Sequence, residues 1–282
     1  MCRDFAVKRA AIITRRAVVF GGLSALCSHL VTLRALAVQP TTSSQSGSKA
    51  KDYFCLASDI GGVSAGDYKL NDTSGSSHLN LLVAELMEDV AKAYKFIPSN
   101  LPGLGYAHGS PEREMGAWVE RRSYVPNTTT TLVLGPERVT AEYTSDKYNG
   151  SIGLALLLAH EMAHVYQLNA TLVDQVEAAS TESTRILELH ADWLAGWVVG
   201  SNQNWSTNAL NVASERVRAW GDACVQAVTH HGFPFERDWA MASGIANGGQ
   251  GLQFSEVSKV ALTNVTAWVA TRAAGYSVCQ QR

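Results

Sequence analysis

The chain has 282 residues, of which 46% are hydrophobic and 17% charged, and a formal net charge of −2. That length admits one large domain or two small ones with a substantial core. With 23 basic residues against 25 acidic ones, the sequence carries no electrostatic footprint for nucleic acid or a membrane surface, and those partners are set aside.

Residues 1–37 read as a signal peptide. Arg3, Lys8, Arg9, Arg15 and Arg16 make a basic start, residues 17–33 are mostly apolar, and Ala35-Leu36-Ala37 offers a small-residue cleavage site. Arg15-Arg16, followed after Ala17 by Val18-Val19, forms a twin-arginine pattern, which implies bacterial export to the periplasm or beyond. Gly21, Gly22, Ser24, Ser28 and His29 interrupt the apolar run, so it makes a poor membrane span and none is expected after cleavage. Residues 38–51, rich in Ser, Thr and Gln, read as a disordered linker. Cleavage leaves Cys55, Cys224 and Cys279, which implies one disulfide and one thiol with the pairing open. None of the three has a C-x-x-C partner, which argues against cysteine metal ligation.

Residues 52–282 make the folded domain. Leu79, Leu82, Val83, Leu86, Val90 and Tyr94 predict a helix over 78–96 that stops before Pro98. Residues 101–111, rich in Gly and Pro, read as a loop. Strands are expected over 117–125 and 128–134, with Pro126-Asn127 between them and Gly135-Pro136 after. Downstream the pattern is helical, over 151–168, 176–199, 208–229 and 255–274, with a short helix near 236–242. The expected class is α+β, mainly helical, with a small antiparallel sheet upstream.

Chemistry concentrates in His160-Glu161-Met162-Ala163-His164, an H-E-x-x-H run. On a helix, histidines four apart lie about 40° apart around the axis and one turn above each other, so both rings can reach one metal ion. Glu161 lies about 60° from His164, beside the metal, which suits a general base better than a ligand. The turns before it (Leu154 to Ala159) are apolar all round, so the helix is buried, and ionisable groups there need a partner or a metal.

Catalytic zinc takes three protein ligands. A ligand at the sixth position beyond His164 fails, because Gln167 and Ala170 stand where glycine and histidine are needed. Glu188-Leu189-His190-Ala191-Asp192 offers a carboxylate instead. Glu188 and Asp192 share one helix face; Glu188 then serves as third ligand and Asp192 as hydrogen-bond partner of a ligand histidine. His190 competes, but it lies about 200° around the helix from Glu188, so the two cannot both face the metal.

Residues 160–168 followed by 188–197 resemble the bacterial neutral zinc metallopeptidases, members of the broader zincins with an H-E-x-x-H helix and a glutamate ligand on a later helix. The likeness continues through Ala209-Leu210-Asn211-Val212-Ala213, Gly221-Asp222 and His231-Gly232-Phe233-Pro234-Phe235-Glu236-Arg237, about half the chain. Ala163 and Val165 depart from the family pattern. The resemblance favours Glu188 over His190, and implies one Zn2+, a zincin-like fold, and hydrolysis of a peptide or protein substrate. It also implies His231 and Arg237 at the site rim, as oxyanion or substrate contacts, and the strand 128–134 as an edge for an extended peptide. Two other readings stay open: a zinc-binding periplasmic assembly or interaction protein without activity, and an amidase acting on cell-wall material.

Overall fold

The computed structural model describes residues 53–54, 69–109, 111–121, 124, 127–144, 151–202, 205–221 and 231–272. The expected signal peptide, the linker, Cys55, Cys224, Cys279 and the end of the helix expected over 208–229 lie outside the described residues. All described residues belong to one compact unit.

The class is α+β and mainly helical, with its sheet upstream, as the sequence implied. Strands β1 (Tyr53–Phe54), β2 (Lys69–Asn71), β3 (Gly103–His108), β4 (Ala117–Glu120) and β5 (Thr131–Leu134) form one sheet in the order β1-β4-β5-β3-β2. It is mixed rather than antiparallel throughout, because β3 pairs with β5 in parallel, Gly103 opposite Thr131 and Tyr106 opposite Leu134. The segment expected as a loop therefore contains a central strand. Its glycines mark a close approach: a methyl group on Gly105 would lie 3.1 Å from Leu70 Cδ2. The strands read over 117–125 and 128–134 are present but shorter.

Helix α1 (Ser77–Ala93) starts at Ser76, whose hydroxyl accepts the Leu79 amide at 3.4 Å. A short helix α2 (Pro111–Glu114) precedes β4, and α3 (Pro136–Thr144) follows β5. The sequence read Gly135-Pro136 only as a strand stop. Proline at the first helical position opens a helix equally well, because its missing N–H has no partner there to lose.

Helix α4 (Ile152–Asn169) buries 15 of its 18 residues, so it runs through the core instead of along the surface. Helices α1, α3, α5, α6 and α7 and strands β4 and β5 surround it. Tyr94, which caps the C-terminus of α1, donates its buried hydroxyl to Ala159 O at 2.9 Å, just before the H-E-x-x-H turn.

The helix expected over 176–199 is two, α5 (Leu172–Ala179) and α6 (Ser183–Ser201). Ser180 is extended and its hydroxyl accepts the Glu182 amide at 3.1 Å, a local bond that competes with helix continuation. Then come α7 (Thr207–Ala219), α8 (Pro234–Gly248), twice the expected length, and α9 (Phe254–Arg272). Helices α6 and α8 have the most extensive contact in the fold, with their backbones nearly touching at Gly196 and Gly200 against Gly244 and Gly248. A methyl on Gly244 would collide with the Trp193 carbonyl oxygen, and one on Gly200 would lie 2.6 Å from Ile245 O. No described helix is long and apolar enough to cross a membrane.

Candidate metal centre

Helix α4 brings His160 and His164 together one turn apart, and α6 lays Glu188 against both. His160 Nε2 lies 3.2 Å from His164 Nε2 and 3.3 Å from Glu188 Oε2, and His164 Nε2 lies 3.4 Å from Glu188 Oε1. All three side chains are buried, and together they can hold a metal ion. Glu161 follows His160 on the same helix and is also fully buried.

The far side of each ring decides which nitrogen faces the cluster. His160 Nδ1 lies 2.9 Å from Asp192 Oδ1. A carboxylate only accepts, so Nδ1 carries a proton and Nε2 is the nitrogen that faces inward. Asp192 is itself gripped by Arg237, whose Nε and Nη2 donate to Oδ2 and Oδ1, both at 2.8 Å. Arg237 also donates to Trp220 O at 3.2 Å, and its Nη2 lies 3.7 Å from Glu188 Oε2. The Trp220 ring meets His160 edge-on, with centroids 5.8 Å apart.

On the other ring, His164 Nδ1 lies 2.8 Å from Gln167 Oε1. Gln167 Nε2 donates to Leu187 O at 2.8 Å and to His190 Nδ1 at 3.0 Å. His190 Nε2 then faces the Ser258 carbonyl at 3.2 Å. Gln167 and His190 are both fully buried.

Charge follows this arrangement. Burial favours neutral His160, but Asp192 and Glu188 outweigh it and lift the ring to about 9. Burial takes His164 down to about 4 against the pull of Glu188. Glu188 is held well below the ordinary carboxylate range: burial opposes its charge, yet His164, His160 and His231 prevail. Asp192 is likewise lowered, by Arg237 first, against burial. Burial also pushes His190 down to about 4, and it stays a neutral ring.

The sequence residues thus fall into groups. His160, His164 and Glu188 converge, with Asp192 behind His160; Glu161 is buried one position after His160 on the same helix. Arg237, expected at the rim, is fully buried with two of its guanidinium nitrogens on Asp192. His231 is half-buried and near enough for its charge to act on Glu188. His190 bonds Gln167 and Ser258 and stands outside the convergent group. Strand β5 is flanked on both sides, by β4 and β3, so it is not a free edge. In the sequence Gln167 reads only as the residue that breaks a third-histidine motif; its place one turn beyond His164, on the same face, is the signal for its role.

No protein-family model, curated protein or solved structure matches the chain.

Proposed function

We propose that the chain is an exported zinc-dependent peptidase of the zincin kind, with His160, His164 and Glu188 as zinc ligands and Glu161 as general base. The carrying observation is the triangle of three lone-pair donors. Zinc bonds of about 2.0–2.1 Å at tetrahedral angles put donors about 3.3–3.4 Å apart, close to the 3.2, 3.3 and 3.4 Å found. In the metal-free chain a proton on His160 Nε2 faces the His164 lone pair and the Glu188 carboxylate, and a metal cation between the three donors would take that proton's place.

A bound zinc would supply a Lewis acid that acidifies a water and polarises a scissile carbonyl. The protein's own groups do the rest. The Glu161 carboxylate takes the proton from the attacking water and hands it to the leaving amine. Asp192, fixed by Arg237, holds the His160 tautomer and keeps its Nε2 basic. Arg237 serves through Asp192, which leaves His231 as the candidate for the developing oxyanion. The substrate class is a peptide or protein, and the compartment the periplasm or outside, the latter resting on the pattern over 1–37.

One observation favours a second reading, a metal-holding assembly or interaction protein: His160, His164, Glu188 and Glu161 are no more than 1% exposed, and closed sites are the mark of structural metals. Glu161→Gln separates the two. The peptidase reading expects unchanged zinc content with hydrolysis of a peptide library reduced by about 10²–10⁴-fold. Equal hydrolysis by both proteins, or none by the wild type across peptides and peptidoglycan, would overturn it.

A further inference from the structure

The two histidines are supported by chemically different arms. Behind His160 the support is ionic, Asp192 and then Arg237; behind His164 it is neutral and runs through Gln167 and His190 to α9. We propose that Gln167 is the positioning residue for His164, setting which ring nitrogen faces the metal, and that His190 holds Gln167 in the orientation this requires. This rests on the metal-site reading above.

One main-chain carbonyl fixes the direction of the bonds through Gln167. Leu187 O can only accept, so the Gln167 atom 2.8 Å from it is the amide nitrogen. The other Gln167 atom is therefore Oε1, an acceptor, and His164 Nδ1 at 2.8 Å must carry the proton. That leaves the His164 Nε2 lone pair for the cluster. The second Gln167 N–H points at His190 Nδ1, 3.0 Å away, which must then accept. The His190 proton falls on Nε2, facing Ser258 O at 3.2 Å, another group that only accepts. The Leu187 O end on α6 fixes this set of proton positions, and Ser258 O on α9 is placed to accept the last proton in it. With Gln167 flipped, its oxygen would face a carbonyl and its amide would face His164 Nδ1, driving the His164 proton to the nitrogen needed for the metal.

Burial makes this arrangement strict. Gln167 and His190 are wholly inaccessible, and each relay atom has a partner within 3.2 Å, so no water substitutes for a lost bond. The relay also explains a histidine two residues from Glu188 that faces away from the metal: an imidazole here accepts from one helix and donates to another at a fixed span.

Two variants and a spectroscopic measurement test this. Gln167→Leu removes both the acceptor for His164 and the donors. Gln167→Glu keeps the acceptor for His164 but loses the donors, and Ser258 Oγ, 3.3 Å from His190 Nε2, can donate to that nitrogen if the His190 proton moves to Nδ1. Zinc affinity, read by competition with a chromophoric chelator, should fall about 10–100-fold in Gln167→Leu. It should stay within about threefold of wild type in Gln167→Glu, even though a buried carboxylate facing Leu187 O weakens the metal-free fold. A merely structural glutamine predicts the reverse, with the carboxylate variant impaired at least as much. Wild-type affinity in both variants, or equal loss in both, would overturn the proposal. Should Gln167→Leu not fold, nitrogen-15 spectra of the metal-free wild type decide: the proposal needs the proton on His164 Nδ1 and on His190 Nε2, and the opposite tautomer of His164 overturns it. A wild type that binds no zinc yet shows these tautomers would sink the metal reading and leave the relay standing.

Discussion

At the scale of single residues, metal affinity at the proposed centre should be coupled to a proton. Without metal, His160 sits between two carboxylates, which lift it to about 9, so at neutral pH it is charged and its Nε2 is blocked. A metal must expel that proton. His160 is the raised group, so below its folded value each unit drop in pH sets one more decade of proton competition against the metal. His164, down at about 4, and Glu188, held low, are already deprotonated and add nothing above about pH 5. Zinc affinity should therefore rise about tenfold per pH unit between about pH 6 and pH 9 and then level off. Competition titrations across that range check it, and a flat profile would mean that His160 carries no proton in the metal-free chain. The converging residues were legible in the sequence because helical spacing alone places His160 beside His164 and Glu188 beside Asp192. The partners Arg237 and Gln167 were not, because their roles depend on bonds spanning 45 and 20–23 positions between helices.

At the scale of elements, α6 and α8 act as one unit. Two buried arginine–carboxylate pairs cross between them in opposite senses. Arg185 of α6 grips Glu236 through Nε at 2.9 Å and through Nη2, and Asp192 is gripped by Arg237 of α8. Glu236 also accepts the Phe233 amide at 3.1 Å, closing the first turn of α8 after Pro234. Gly232, at φ +101°, lets the chain turn into that helix against Leu189. The glycine seam permits the approach that brings the charged partners into reach. Gly244→Ala should therefore force the helices apart, because the atoms in its way, Trp193 O and Trp197 N, are backbone and cannot rotate aside. The expected loss is about 1–3 kcal/mol or more in urea unfolding, with weaker zinc binding as Asp192 moves from His160. Gly249→Ala, with nothing within 4 Å of the added methyl, is the control and should stay within about 0.5 kcal/mol. Hydrophobic periodicity revealed α1, α4, α6 and α9, whose apolar faces repeat regularly. It missed β3, where glycines stand for close packing instead of a turn, and the α5–α6 break, where apolar spacing runs on through a serine that caps its own neighbour.

At the scale of the whole molecule, the proposed metal would tie together parts of the chain that lie far apart in sequence. The three converging side chains come from α4 and α6, and the residues behind them reach α8 through Arg237 and α9 through His190 and Ser258. An unfolded chain has no such cluster, so zinc should bind the folded state and stabilise it by mass action, about 4 kcal/mol at a free concentration a thousand times the dissociation constant. For a chain of this size that corresponds to a rise of roughly 10 °C in the unfolding midpoint, and a strong chelator should reverse it. The size of the response should rank the residues. Glu188→Ala removes a ligand and should abolish most of the zinc-dependent rise. His190→Ala leaves all three ligands in place; it should still take up one zinc at saturation and show a reduced but measurable rise, because Gln167 has lost one of its two anchors. A His190→Ala protein that takes up no zinc, beside a Glu188→Ala protein that responds like the wild type, would exchange their roles and move the centre one face around α6. Calorimetry with and without added zinc, on the wild type and both variants, reads all three outcomes on one scale.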